Sequence, residues 1–271
     1  MRRVLVVYNP VAGAKSKQDV EGILRRGLKK RGFEVDWFET DAHEEQPLEP
    51  YVGKRYFRVI VVGGDGTISQ VVSFMMKHDW KIPLVIIPQG SGNLLAKALG
   101  LPLLSVSRAL KVGLEKKPSA LDVICVNKKR YGLIAVGRGY DVFLMENTSR
   151  EAKRSWGFWA YVWVMLKTMF SYRPKVYELV IDGKKKNVEA KSVMLVNIFP
   201  LSGLVIKPND GWLNGMIMGR HHQMTTFKAK KVTIRAEREH QFELDGDVFK
   251  GRTVKVELLP RAISFVSSKK F

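Results

Sequence analysis

The chain has 271 residues, 45% of them apolar, long enough for two modest domains or one large one and able to bury real cores without staples. One cysteine, Cys125, lies in an apolar run, which excludes a disulfide framework and thiolate metal sites and suits a reducing compartment. Lys and Arg number 46 against 26 Asp and Glu, and the net charge of +20 attracts phosphates, anionic lipid headgroups or nucleic acid without choosing among them. The basic clusters (Arg25, Arg26, Lys29 to Arg31; Lys128 to Arg130; Lys184 to Lys186; Lys228, Lys230, Lys231) are scattered and read as solvated helix ends and turns.

Along the chain, MRRVLVVYNP reads as a first strand, Val4 to Tyr8, and not as a signal peptide, so the mature chain is expected to begin here. A helix is predicted from about Lys17, with Val20, Ile23, Leu24 and Leu28 on one face and Gly32 as its stop. Glu34 to Phe38 alternates like a strand, Val59 to Val62 and Leu84 to Ile87 are short buried strands, and helices follow at Ile68 to Met75 and Leu94 to Leu99. Strands separated by helices predict a parallel sheet covered on both faces, with ligands at the strand C-termini. After about Leu121 the period changes: Leu121 to Val126, Tyr131 to Val136, Tyr177 to Ile181, Val193 to Ile198, Lys231 to Ala236, Gln241 to Leu244, Thr253 to Leu259 and Ala262 to Val266 predict a mostly antiparallel β-sandwich or barrel. One aromatic helix interrupts it at about Ser155 to Met169; its apolar window falls short of the roughly 18 to 20 residues of a membrane span, and no transmembrane helix is expected. The predicted domains are 1–121, an α/β nucleotide-binding domain, and 122–271, a β-rich substrate domain whose last residues are free to return to the first.

Three glycine-bearing loops each follow a predicted strand: Asn9 to Gly13, Gly63-Gly64-Asp65-Gly66-Thr67, and Gly90-Ser91-Gly92-Asn93. Glycine lets the backbone approach an anion, and the helix N-terminus behind each loop aims unpaired N–H groups at it, so such loops on one sheet edge suit a triphosphate. A carboxylate among them, Asp65, would repel phosphates unless a divalent cation bridges the two, and Mg²⁺ is the usual bridge. The bland alternative is a tight strand-to-helix turn capped by Asp65. Late in the chain, Asp245-Gly246 is the commonest kind of hairpin dipeptide.

These motifs, in this order and spacing, resemble the catalytic domain of diacylglycerol kinases, sphingosine kinases and their bacterial lipid-kinase relatives, with a more distant likeness to NAD kinases. Asp122 in Ala120-Leu121-Asp122-Val123, Asp210-Gly211-Trp212-Leu213 and Asp245-Gly246-Asp247 extend the resemblance over nearly the whole chain. It implies an ATP- and Mg²⁺-dependent phosphorylation of a lipid hydroxyl, diacylglycerol or a related lipid, at the cleft between the domains. Asn9, Gly13, Gly63, Gly64, Asp65, Gly66, Thr67, Gly90, Ser91, Gly92 and Asn93 would cradle ATP, with Lys15 a further phosphate contact. Asp65 and Asp122 would hold the catalytic Mg²⁺, Asp210 and Trp212 would belong to a second, structural cation site, and Asp245 and Asp247 would take the proton from the lipid hydroxyl.

Departures from the family pattern are Leu94 in place of an acid, Asp247 in place of glutamate, Ala12 where many relatives have Ser, and a short segment between Val205 and Asp210. They keep open a catalytically weak or inactive lipid-binding or regulatory member; a nucleotide kinase of the NAD-kinase type is a lesser alternative. Trp156, Trp159 and Trp163 on the aromatic helix would line an acyl-chain groove or meet a bilayer, or else simply pack in a core. The expected setting is cytoplasmic with peripheral contact to anionic membranes. Nucleic acid is not an expected partner, adjacent His221 and His222 are not expected to bind metal, and neither oligomeric state nor the acceptor lipid is readable.

Overall fold

The structure, a computed structural model, describes residues 2–12, 17–40, 47–139, 174–198, 208–221 and 223–269. The chain splits into two compact units, Met1–Leu121 with Arg261–Phe271, and Asp122–Pro260. The predicted aromatic helix, with Trp156, Trp159 and Trp163, lies outside the described residues, as do Gly13 and Lys15. Among the described residues no helix is long and apolar enough to cross a membrane.

In the first unit, β1 (Arg2–Tyr8), β2 (Phe33–Glu39), β3 (Arg58–Gly63) and β4 (Leu84–Pro88) lie in the order β4-β3-β1-β2, every pairing parallel. β3 and β4 are buried at every residue, because helices cover the sheet and strands closed on both faces need no polar alternation. On one face Val4, Val6, Ile60, Val62, Val85 and Ile87 meet the apolar stripes of α1 (Lys17–Lys29) and α4 (Val106–Glu115). α2 (Asp65–Lys77) packs on β3 through a stripe that includes Ile68, Val71, Val72 and Met75, and the short α3 (Leu94–Ala98) follows β4.

Helix α4 escaped the sequence reading. Its apolar positions Val106, Ala109, Leu110 and Gly113 are spaced for one face, and the Ser105 hydroxyl caps it by accepting from the Arg108 N–H at 3.3 Å. Gly113 is where that helix touches the sheet: a Cβ there would lie 2.1 Å from Val85 Cγ1.

The second unit is antiparallel in the pairings that link β7 (Ala135–Gly139), β8 (Lys175–Ile181), β9 (Lys184–Val196), β10 (Leu213–Gly219), β11 (Met224–Ala229) and β12 (Lys231–Leu244). The pairings β9–β7, β7–β12, β12–β8 and β8–β9 close on themselves, around a core that includes Tyr177, Leu195, Phe242 and Val254. Where two strands were predicted at 231–236 and 241–244, β12 is a single strand with a register shift between Arg235 and His240. β13 (Asp247–Val266) likewise absorbs both predicted C-terminal strands, and its Phe265 pairs in parallel with Leu84 in the first unit. β5 (Pro118–Val126) and β6 (Arg130–Gly132) form a hairpin, and Cys125 is buried in it, its thiol pKa pushed up by that burial.

Gly113→Ala tests the α4 contact. Alanine favours a helix by about 1 kcal/mol, but the overlap with Val85 outweighs that gain, and a net destabilisation of about 1–2 kcal/mol is expected in urea unfolding.

Candidate functional site

The first group of site residues gathers where β1, β3 and β4 end. The Asn9 amide donates to the Thr67 hydroxyl at 2.8 Å, and the Asn9 carbonyl oxygen on the side chain accepts from the Val11 N–H at 3.1 Å. The buried Thr67 Oγ1 thus has one acceptor position filled and keeps a proton of its own to donate. Gly63 makes room for this hydroxyl: a Cβ there would stand 2.6 Å from Thr67 Oγ1. The second and third loops touch backbone to backbone, since a Cβ on Gly90 would lie 2.6 Å from the Gly64 Cα.

Asp65 fastens these two loops. It is the first residue of α2, yet its carboxylate caps the other helix, accepting from Leu94 N–H at 3.0 Å and Leu95 N–H at 3.1 Å. The N-terminus of α3 is therefore satisfied from within the protein. That of α2 is not: its N-cap is Gly64, no side chain caps it, and the Ile68 N–H donates to the Gly64 carbonyl at 3.1 Å. The α2 amides of Asp65, Gly66 and Thr67 are thus without a side-chain cap, the arrangement that suits an anion. The third loop is closed on itself, Asn93 holding both the N–H and the carbonyl of Gly90 at 2.9 and 2.6 Å in a left-handed conformation, φ 48°. Ser91 at its tip is exposed.

The second group lies in the second unit and separates residues that the sequence pairs. Asp245 and Gly246 form the two-residue turn between β12 and β13, with φ of 52° and 100°. The Asp245 carboxylate accepts three successive backbone N–H groups, Leu133 at 2.5 Å, Ile134 at 2.8 Å and Ala135 at 3.0 Å. This is why the predicted strand 131–136 is broken into β6 and β7: its middle amides turn to the carboxylate. The Asp245 oxygens, expected to take a proton, are engaged here as a clamp on three backbone amides. Asp247 is different: the residue is exposed, yet nearby protein desolvates its carboxyl enough to raise its pKa above the ordinary aspartate value, with Arg130 pulling the other way.

Asp122 is fully buried, and its carboxylate accepts from the Gly211 N–H at 2.7 Å. It is joined to the Asp245 clamp by Asn197, whose buried amide donates to the carbonyls of Asp122 and Leu133 at 3.0 and 2.8 Å. Sequence reasoning missed Asn197, although a lone polar residue inside the apolar run Val193 to Ile198 is a detectable signal. Arg130 was seen only as part of a basic cluster.

The metal assignments fit unequally. Each Asp65 oxygen accepts one N–H bond and the residue is half-buried, which leaves lone pairs for a cation held directly or through water. Asp122 presents no surface to one. Asp210 accepts from the Trp212 N–H at 3.0 Å and faces the Lys228 ammonium at 3.5 Å, so a side-chain cation already balances the expected structural site. Among the described residues there is no group of three or more His, Cys, Asp or Glu able to hold a metal.

The fold defines the class first. A crystal structure titled as that of "a putative diacylglycerol kinase" from Bacillus anthracis str. Sterne matches with a TM-score of 0.81 at 21% identity, covering 98% of this chain and 97% of that one. Another, of "a diacylglycerol kinases" from the same source, matches with a TM-score of 0.75 at 19% identity. At these identities the likeness speaks for the fold, a diacylglycerol-kinase-like one.

Sequence comparison points the same way. Residues 3–126 match the family model of the diacylglycerol kinase catalytic domain. Proteins of Staphylococcus aureus strains JH9 and Mu3, each called "Putative lipid kinase", are 24% identical over 237 residues, covering 77% of this chain and 76% of theirs. The likeness to the diacylglycerol kinase catalytic domain thus lies in residues 3–126, and the likeness to these lipid-kinase relatives extends beyond it.

Three variants separate clamp from cradle. Asp245→Ala strips three amides of their acceptor and is expected to cost about 2–4 kcal/mol in denaturant unfolding, whereas Asp247→Ala stays within about 1 kcal/mol of wild type. Gly90→Ala pushes a methyl group into the Gly64 backbone and is expected to weaken ATP binding in calorimetry by about tenfold or more.

Proposed function

We propose that the chain transfers the γ-phosphoryl group of ATP to a lipid hydroxyl, with Mg²⁺ as cofactor. The observation that carries this reading is the uncapped N-terminus of α2, set between glycine loops that touch backbone to backbone and fastened by Asp65. The match of residues 3–126 to the diacylglycerol kinase catalytic-domain model supports a kinase, and hence ATP use; the acceptor class follows the lipid-kinase relatives.

The amides of Asp65, Gly66 and Thr67 and the Thr67 hydroxyl bind the phosphate oxygens, with Asn9 orienting that hydroxyl. Ser91, Gly92 and Asn93 form the opposite wall, and Gly13 and Lys15 are assigned to the nucleotide by the family pattern. Mg²⁺, when bound at Asp65, neutralises charge on the transferring phosphoryl group. Asp247 accepts the proton of the attacking hydroxyl. Asp245, Asn197 and Asp122 are positioning residues: they fix the turn that carries Asp247. Trp156, Trp159 and Trp163 remain assigned to the lipid chain.

The raised pKa of Asp247 gives a signed expectation. The carboxylate is the working form, so turnover falls as pH drops through that pKa, and the acid limb sits above the range of an unperturbed aspartate. Arg130 lowers the pKa, so Arg130→Ala shifts the limb to higher pH. Asp247→Asn lowers kcat by about 10²–10⁴-fold and removes the limb. Labelled phosphate transfer from Mg-ATP to a panel of lipids in anionic mixed micelles, followed across pH, measures all three; ATP binding without any labelled lipid would favour instead a lipid-binding member without turnover.

A further inference from the structure

Three basic turns that are far apart in sequence are brought to one end of the second unit. Asp182, in the β8–β9 turn, accepts from the Lys230 and Lys231 N–H groups at 3.0 and 2.8 Å and donates its own N–H to the Lys231 carbonyl at 2.9 Å, which locks that turn to the β11–β12 turn. The Lys230 carbonyl accepts from Leu258 on β13 at 2.9 Å. Three residues back along β13, Lys255 exchanges two hydrogen bonds with Asn127 of the β5–β6 turn, both at 2.8 Å.

The acids at this end are already committed. Asp182 serves backbone amides, Glu178 holds Lys185 and Arg235, Glu257 holds Lys231, and Asp210 holds Lys228. Lys128, Lys129, Lys184, Lys186, Lys230 and Lys255 are exposed and have no carboxylate partner among the described residues. Lys230 also covers the partly exposed Trp212 ring at 5.1 Å, an aromatic beside cations of the kind that membrane interfaces favour. Turn tips at one end of a β unit present their charge outward, which suits an extended anionic surface rather than a single small ion.

We propose that this end of the second unit docks on an anionic lipid bilayer, a choice of partner that rests on the lipid-kinase reading. The turns supply the electrostatic attraction, and the interaction weakens as salt rises. Its hydrogen-bonded frame holds the lysines in one rim, so the charge acts together although the sequence scatters it.

Co-sedimentation with vesicles of phosphatidylcholine mixed with phosphatidylserine tests the proposal, with pure phosphatidylcholine vesicles as reference. Each lysine is expected to contribute about fivefold, so K184Q/K186Q/K230Q lowers partitioning by roughly a hundredfold. The charge-matched K29Q/K30Q/K111Q, in the first unit, causes a far smaller fall. Equal binding of the K184Q/K186Q/K230Q variant, an equal loss in the control, equal wild-type binding to both vesicle types, or binding of duplex DNA without binding of vesicles would each overturn the proposal. Turnover of a detergent-dispersed acceptor separates the two readings: K184Q/K186Q/K230Q matches wild type there, whereas a wild type without turnover contradicts the kinase reading and leaves the vesicle result to stand or fall by itself.

Discussion

One carboxylate sets the geometry on which the first unit's site depends. Asp65 begins α2 and caps α3, so a single side chain fixes the spacing of the two loops that precede those helices. The cap leaves a deliberate asymmetry. α3 has its first amides filled by protein, while α2, 13 residues long, has a glycine at its N-cap and no side-chain partner for its partial positive charge. The close approach of Gly64 and Gly90 follows, since any side chain at either position would drive the loops apart. In the proposed function the same carboxylate that holds the two loops together would also bring a cation to them, so its structural and chemical roles are compatible.

The second unit solves a similar problem with backbone amides. Asp245 draws three consecutive N–H groups out of what would be a strand, and Asn197 ties the carbonyl of Leu133 to that of Asp122. This buried polar chain ends at the Asp210 to Trp212 turn through Gly211. The network is not complete, since the buried side-chain oxygen of Asn197 has no hydrogen-bond partner, and such a cost is consistent with the positioning role proposed for it. Asp247 itself stays out of the network and carries the perturbed pKa.

Much of this was legible in the sequence, for a physical reason in each case. β3 and β4 stand out because burial on both faces makes them continuously apolar, and the loops after them stand out because glycine is needed where backbones meet. β10 and β11 did not stand out. Gly215 reads as a strand breaker, yet it sits under the Phe227 ring, where a Cβ would be 2.1 Å from Cζ, and the aromatic supplies the packing that glycine lacks. The residue at Leu94 looked like a departure that weakens the site; its contribution here is a backbone N–H, which any residue but proline would provide. What a sequence cannot display is which amide a carboxylate will find, and both Asp65 and Asp245 are defined by that choice.

The central claim is that Asp65 makes the nucleotide cradle while Asp247 serves only the transfer step. Calorimetric titration of Mg-ATP into wild type, Asp65→Asn and Asp247→Asn addresses it most directly. The account predicts that Asp65→Asn loses most of its ATP affinity and that Asp247→Asn keeps wild-type affinity. Wild-type binding by Asp65→Asn, or loss of binding by Asp247→Asn, would contradict it.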